Sequence, residues 1–124
     1  MTPKYNKVHN RFKFNGLHFS FEDLKEVAYS LIKEGEPYEQ VTGNFLIDWL
    51  NNKNVLYVNT SGSTGQPKTI KLKKQAMVNS AIATGDFFGL QPGDKAIDCL
   101  PSHYIAGKMM LVRAMILGLE LDMV

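Results

Sequence analysis

The sequence has 124 residues, 44% hydrophobic and 21% charged, which suits one modest globular domain. Its 14 basic and 12 acidic side chains leave a net charge of +2, too weak a field to point to a nucleic-acid binder or a membrane-surface protein. The single cysteine, Cys99, excludes an internal disulfide framework and gives no metal-ligand spacing.

The first residues are basic and polar (Lys4, Lys7, His9, Arg11, Lys13) and are expected to lie loosely on the surface. No apolar core followed by a small-residue cleavage site occurs in residues 1–20, and a cytoplasmic location is the default reading. Ser20 and Asp23 read as a helix start, where a side-chain oxygen can meet the free amides of the first turn. Leu24, Val27, Ala28, Leu31 and Ile32 repeat at helical spacing until Gly35 and Pro37 end the segment. A second helix is predicted over residues 38–50, with Val41, Phe45, Leu46 and Trp49 on its inner side and Gly43 weakening it.

From Val55 the character changes. Residues 55–58 read as a short strand that runs into a glycine-rich loop, and residues 69–72 alternate polar and apolar like a half-exposed strand. A helix follows, with Met77, Val78, Ala81, Ile82 and Phe88 able to share one face; it stops near Gly89, before the turn chemistry of residues 91–94. Residues 96–100 form the next strand, residues 104–117 a helix, and Leu119 opens an apolar restart after Gly118. That last helix is too short to span a bilayer and carries Lys108 and Arg113.

Strand, helix and strand with short connections favour a parallel pair with a right-handed crossover, covered on both faces. The predicted class is therefore α/β, built from parallel βαβ units. The helix 105–117 is apolar almost all round and expects neighbours on several sides. The final strand has barely begun at Val124, so the chain reads as the N-terminal piece of a longer protein; a complete domain would expose an apolar helix and a bare sheet edge.

The chemistry concentrates in residues 60–68. Gly62 and Gly65 allow close backbone approaches, so successive amides can converge on an anion. Thr60, Ser61, Ser63 and Thr64 add hydroxyl donors, and Lys68 adds a mobile positive charge. The string nearly fits a Walker loop, but Pro67 stands where the second glycine is required and removes an amide. A strand pattern follows Lys68, whereas a Walker loop opens a helix.

The string Thr-Ser-Gly-Ser-Thr-Gly-Gln-Pro-Lys of residues 60–68 resembles the phosphate-binding signature of the adenylate-forming superfamily, which includes acyl- and aryl-CoA synthetases, luciferases and nonribosomal-peptide adenylation domains. The resemblance implies the opening part of the large N-terminal domain of such an enzyme, with residues 1–54 a helical lead-in and residues 55–124 a β-loop-β-α-β-α-β segment. It implies that Thr60, Ser61, Gly62, Ser63, Thr64, Gly65 and Lys68 hold ATP phosphates while a carboxylate attacks the α-phosphate. The same resemblance implies a small carboxylic acid, Mg-ATP and coenzyme A as what the full-length enzyme binds, with no nucleic acid as partner. The family's magnesium-binding glutamate, ribose-binding aspartate, domain hinge and catalytic lysine belong to later motifs beyond Val124. Residues 1–124 are expected to need that missing part and to lack ligase activity alone.

Residues 100–107, Leu-Pro-Ser-His-Tyr-Ile-Ala-Gly, resemble the family's next core motif, which borders the acyl substrate. Here His103 and Tyr104 stand in swapped order relative to the family pattern, and with Gly107 they are the candidate substrate-binding residues. With the short lead before residue 60 and the following Lys-Met-Met-Leu-Val-Arg-Ala-Met, this segment is similar to compact o-succinylbenzoate–CoA ligases of menaquinone synthesis. The competing readings are another adenylating enzyme, such as a fatty-acyl or aryl-acid ligase, and a non-catalytic nucleotide-binding remnant. Lys71, Lys73 and Lys74 read as a solvated strand edge and helix start, Met109, Met110 and Met115 as core packing, and Cys99 as a buried core residue. Arg113 reads as a surface or interface residue that could also meet an acidic substrate.

Overall fold

The computed structural model describes residues 4–60, 68–98 and 105–123. The elements in chain order are β1 (Lys13–Phe14), β2 (Leu17–His18), α1 (Phe21–Glu34), α2 (Pro37–Leu50), β3 (Val55–Thr60), β4 (Lys68–Lys73), α3 (Lys74–Phe88), β5 (Lys95–Asp98), α4 (Ile105–Leu117) and β6 (Glu120–Met123).

Both lead-in helices start where the side chains supply caps. Ser20 Oγ accepts from the Asp23 amide at 3.2 Å, and Glu22 and Asp23 place negative charge at the positive end of α1. Pro37 opens α2, and Glu39 Oε1 accepts from the Glu36 amide at 3.1 Å. The two helices pack closely at Gly43, where a Cβ would lie 2.7 Å from the Ala28 carbonyl oxygen. Gly43 therefore costs α2 some intrinsic helicity but permits the crossing on which α1 rests.

The sheet order is β2-β1-β6-β5, with β6 parallel to both β1 and β5 and β2 antiparallel to β1. The β5-α4-β6 unit is thus the parallel pair expected from the sequence. The preceding strand, helix and strand do not form another such pair: β4 pairs antiparallel with β3 in a separate two-stranded sheet. The short loop keeps β4 beside β3, and β6 takes the position next to β5.

The basic leader departs further from expectation. Phe12 and Phe14 are buried, the Lys13 amide donates to the Leu119 carbonyl at 3.1 Å, and the His9 amide donates to the Met115 carbonyl at 2.8 Å. Residues 11–14 alternate charged and aromatic, so the phenylalanines enter the core while the cations stay outside. The strand at the end of the chain consequently lies inside the sheet, and β2 and β5 are its edges.

The core joins Phe45, Leu46, Trp49 and Leu50 of α2, Met77, Val78 and Ala81 of α3, and Leu111, Val112, Ala114, Met115 and Ile116 of α4. Met109 and Met110 pack half-buried against it, as core-filling methionines do. Phe88 corrects the predicted face of α3, because it is 68% exposed. Gly85 occupies that turn, with Leu117 so near that a Cβ would lie 2.9 Å from its methyl carbons. Gly89 then ends the helix at φ 67°, a conformation most side chains resist. Among the described residues no helix is long and apolar enough to cross a membrane.

Gly43→Ala is expected to destabilise the chain by about 1–3 kcal/mol, because the methyl must displace backbone of α1. Urea unfolding followed by tryptophan fluorescence measures it, and an unchanged midpoint would contradict the close crossing.

Candidate functional site

The β3–β4 hairpin supports the candidate phosphate loop. Six antiparallel pairs run from Val55 opposite Lys73 to Thr60 opposite Lys68. Directly opposed residues hold their Cα atoms about 4.5–5.5 Å apart, so the hairpin pins both ends of the loop side by side. Leu56 and Val58 anchor it, each 4% exposed, by facing the core. Lys68 is exposed at the start of β4, and the strand after it is real, which separates this arrangement from a loop opening a helix.

Of the candidate phosphate ligands, the structure brings Thr60 and Lys68 together; Ser61, Gly62, Ser63, Thr64 and Gly65 lie outside the described residues, as does Pro67. His103, Tyr104 and Cys99 also lie outside them. Gly107 is buried in the first turn of α4, on the crossover between β5 and β6. Thr60 and Gly107 therefore belong to different sheets' connections, and the fold does not pair their elements.

The largest departure from the sequence reading is Lys74. Expected in solvent beside Lys71 and Lys73, it is fully buried, while those two are exposed. Its Nζ donates to the Trp49 carbonyl at 2.9 Å and to Asn51 Oδ1 at 2.8 Å, and stands 5.9 Å from the Trp49 ring and 5.8 Å from the Tyr5 ring. Trp49 lies in the last turn of α2, where carbonyls lack helical partners and the helix dipole is negative. Lys74 is thus a buried cation serving as an end cap for another helix. Burial lowers its pKa from 10.5 to about 8; Asp48 opposes that shift and Lys53 adds to it. A lysine carries no apolar periodicity, which hid this role in the sequence.

Lys108, in α4, stands 5.9 Å from the Phe45 ring, and burial likewise lowers its pKa against the raising effect of Asp48. Phe45 and Trp49 are themselves neighbours, with ring centroids 6.1 Å apart. Arg113 is half-buried, and its Nε is a buried donor without a hydrogen-bond partner among the described residues. Among the described residues no cluster of three histidine, cysteine or acidic side chains could hold a metal ion.

No family model matches the chain. In sequence it is 33% identical over 102 residues, covering 77% of the chain, to nonribosomal peptide synthetase 1 of Aspergillus fumigatus. In structure it matches an acyl-CoA synthetase (AMP-forming)/AMP-acid ligase II-like protein from Dyadobacter fermentans, with a TM-score of 0.69 and 38% identity over 81% of the chain. Both findings support the adenylate-forming superfamily. The mixed α/β architecture matches a piece of the N-terminal domain of an adenylate-forming enzyme. The chain spans 2% of the curated relative and 29% of the solved structure's chain.

The buried cap makes a pH prediction with a definite sign. The folded chain releases the Lys74 proton near pH 8, whereas an unfolded lysine holds it to about 10.5. Between those values the unfolded state binds more protons, so this group makes stability rise with pH, by at most about 1.4 kcal/mol per unit. Lys74→Met should remove that rise and cost about 2 kcal/mol near pH 7 through the lost charged hydrogen bonds. Denaturant titrations of both proteins between pH 7 and 10 measure it; parallel pH dependences would exclude the cap.

Proposed function

We propose that this chain is the opening part of an AMP-forming acid–CoA ligase and that residues 60–68 hold the phosphates of ATP. The observation that carries the reading is the hairpin: it presents the ends of a loop with the adenylate-forming signature as neighbours. Amides freed by Gly62 and Gly65, the four hydroxyls and the Lys68 ammonium would neutralise the pyrophosphate portion while a carboxylate attacks the α-phosphate. The bond from that phosphorus to the bridging oxygen breaks, giving an acyl-adenylate and pyrophosphate. Coenzyme A would then displace AMP through its thiol. These donors stabilise charge and need no covalent participation. Among the described residues no side-chain cluster could hold the magnesium ion that accompanies ATP.

For the acid we propose o-succinylbenzoate, on the short lead before the loop and the 100–107 segment with its Lys-Met-Met-Leu-Val-Arg-Ala-Met continuation. That substrate has two carboxylates, and the one that is not adenylated keeps its charge. Arg113, whose buried Nε lacks a partner among the described residues, is a donor suited to it. The likeness to a nonribosomal peptide synthetase favours a second reading, an adenylating enzyme for another acid.

Titration of ATP into the chain, followed by calorimetry, tests the loop. Binding weakened at least about tenfold by Lys68→Ala is expected, since a charge-assisted contact contributes about 1.5–3 kcal/mol; equal binding by both proteins would remove the loop assignment.

The acid is tested by grafting residues 1–124 in place of the matching stretch of the Dyadobacter protein and following thioester formation. Turnover of o-succinylbenzoate that falls about 100-fold in Arg113→Ala, with monocarboxylates unaffected, is expected for a lost buried charge contact. Turnover of a fatty acid and none of o-succinylbenzoate would end the substrate assignment.

A further inference from the structure

Charge is segregated along this chain to a degree that its net charge conceals. Residues 21–50 carry seven acidic side chains and two lysines, whereas residues 51–74 carry five lysines and no acid. The fold gathers four of these acids in one groove and three of these lysines around one hairpin face, where Asp48, beside Lys53 and Tyr57, is the neighbouring acid.

The acidic surface is a groove of about 660 Å³ running along α1 from β2 to the turn before α2. Asp23, Glu26, Glu34 and Glu39 supply carboxylates, and Phe19, Val27 and Leu31 supply apolar lining. Glu39 already accepts the Glu36 amide, and the other three acids are exposed. Basic groups near this groove are His18, Lys25 and Lys33, with Lys7 and His9 in the adjoining depression beside Asp23; Lys25 pairs with Glu22 at 3.4 Å.

The basic surface is the outer face of the β3–β4 hairpin. Leu56 and Val58 point to the core, so the alternate residues face out. Tyr57 lies directly opposite Lys71, and Val55 opposite Lys73, placing an aromatic ring 61% exposed between lysines. Lys53, also exposed, precedes the hairpin. A six-residue strand is about 20 Å long and a fourteen-residue helix about 21 Å, so the two surfaces match in length as well as in sign.

We propose that the hairpin face of one copy docks through Tyr57, Lys71 and Lys73 into the acidic groove along α1 of a second copy. The ring meets the apolar lining, and the ammonium groups meet Asp23, Glu26 and Glu34. The two surfaces are different patches of one chain, so the contact is head-to-tail, and successive copies either close into a ring or extend. The occupant is a second copy because the complementary charge, the aromatic anchor and the length are all present on the chain itself. This proposal does not depend on the ligase reading.

Sedimentation equilibrium of residues 1–124 between about 10 µM and 1 mM tests it, a range that brackets modest interfaces. Mass is expected to rise with concentration and to fall back in about 1 M salt, where the screening length shrinks to about 3 Å. Lys71→Glu/Lys73→Glu and Glu26→Lys/Glu34→Lys should each weaken self-association at least about tenfold. Mixing the two variants should restore it, because each supplies the surface that complements the other. Circular dichroism confirms that these exposed substitutions leave the fold intact. A wild-type chain that stays monomeric, reversed variants that associate like wild type, or a mixture that fails to recover would each overturn the proposal.

Discussion

The buried ammonium of Lys74 ties together parts of the chain that share no strand pairing. It holds the C-terminal turn of α2 through the Trp49 carbonyl and Asn51, while its own amide donates to the Asn54 carbonyl at 2.9 Å. One residue thus fixes where α2 stops, where the hairpin begins and where α3 starts. A cation buried this completely must recover by local bonding what it loses in hydration. Two short hydrogen bonds, a helix's negative end and two aromatic faces provide that compensation. The lowered pKa records that it is incomplete.

With that joint fixed, the hairpin is held at its base and its ladder transmits order to the far end. Each antiparallel pair constrains the next, and the last pair is Thr60 with Lys68. The candidate phosphate loop is therefore mounted on a frame whose register is set by Leu56 and Val58 in the core. A slip of one residue would turn those side chains to water and separate Thr60 from Lys68. Burial at one end of the hairpin defines geometry at the other.

Much of this was legible in the sequence because the signals were local. Ser20 with Asp23, the 24–32 periodicity, the alternation of 69–72 and the stop at Gly89 each carry their cause within a few residues. The strand after Lys68 was legible too, and with Pro67 it separates residues 60–68 chemically from a Walker loop. What escaped depends on distant partners. Phe12 and Phe14 look like a polar leader until β6 is present to pair with β1. Gly43 looks like a defect until α1 crosses it, and Lys74 looks solvated until α2 delivers a carbonyl to it. In α3, Phe88 has the right spacing to be buried, but the nearness of Leu117 at Gly85 decides otherwise.

The interior position of β6 bears on how the molecule assembles. The α1–α2 pair and the β3–β4 hairpin join residues near in sequence, and such units close quickly. The four-stranded sheet cannot form that way: residues 13–14 have their parallel partner at residues 120–121. During synthesis Phe12 and Phe14 must wait for nearly the whole described chain before their covering strand arrives. Until then their aromatic surface and the open edge of β1 are exposed together, the combination most prone to wrong association. The sheet is consequently the last element to close, and the hairpin bearing the candidate phosphate loop can be formed before the sheet exists.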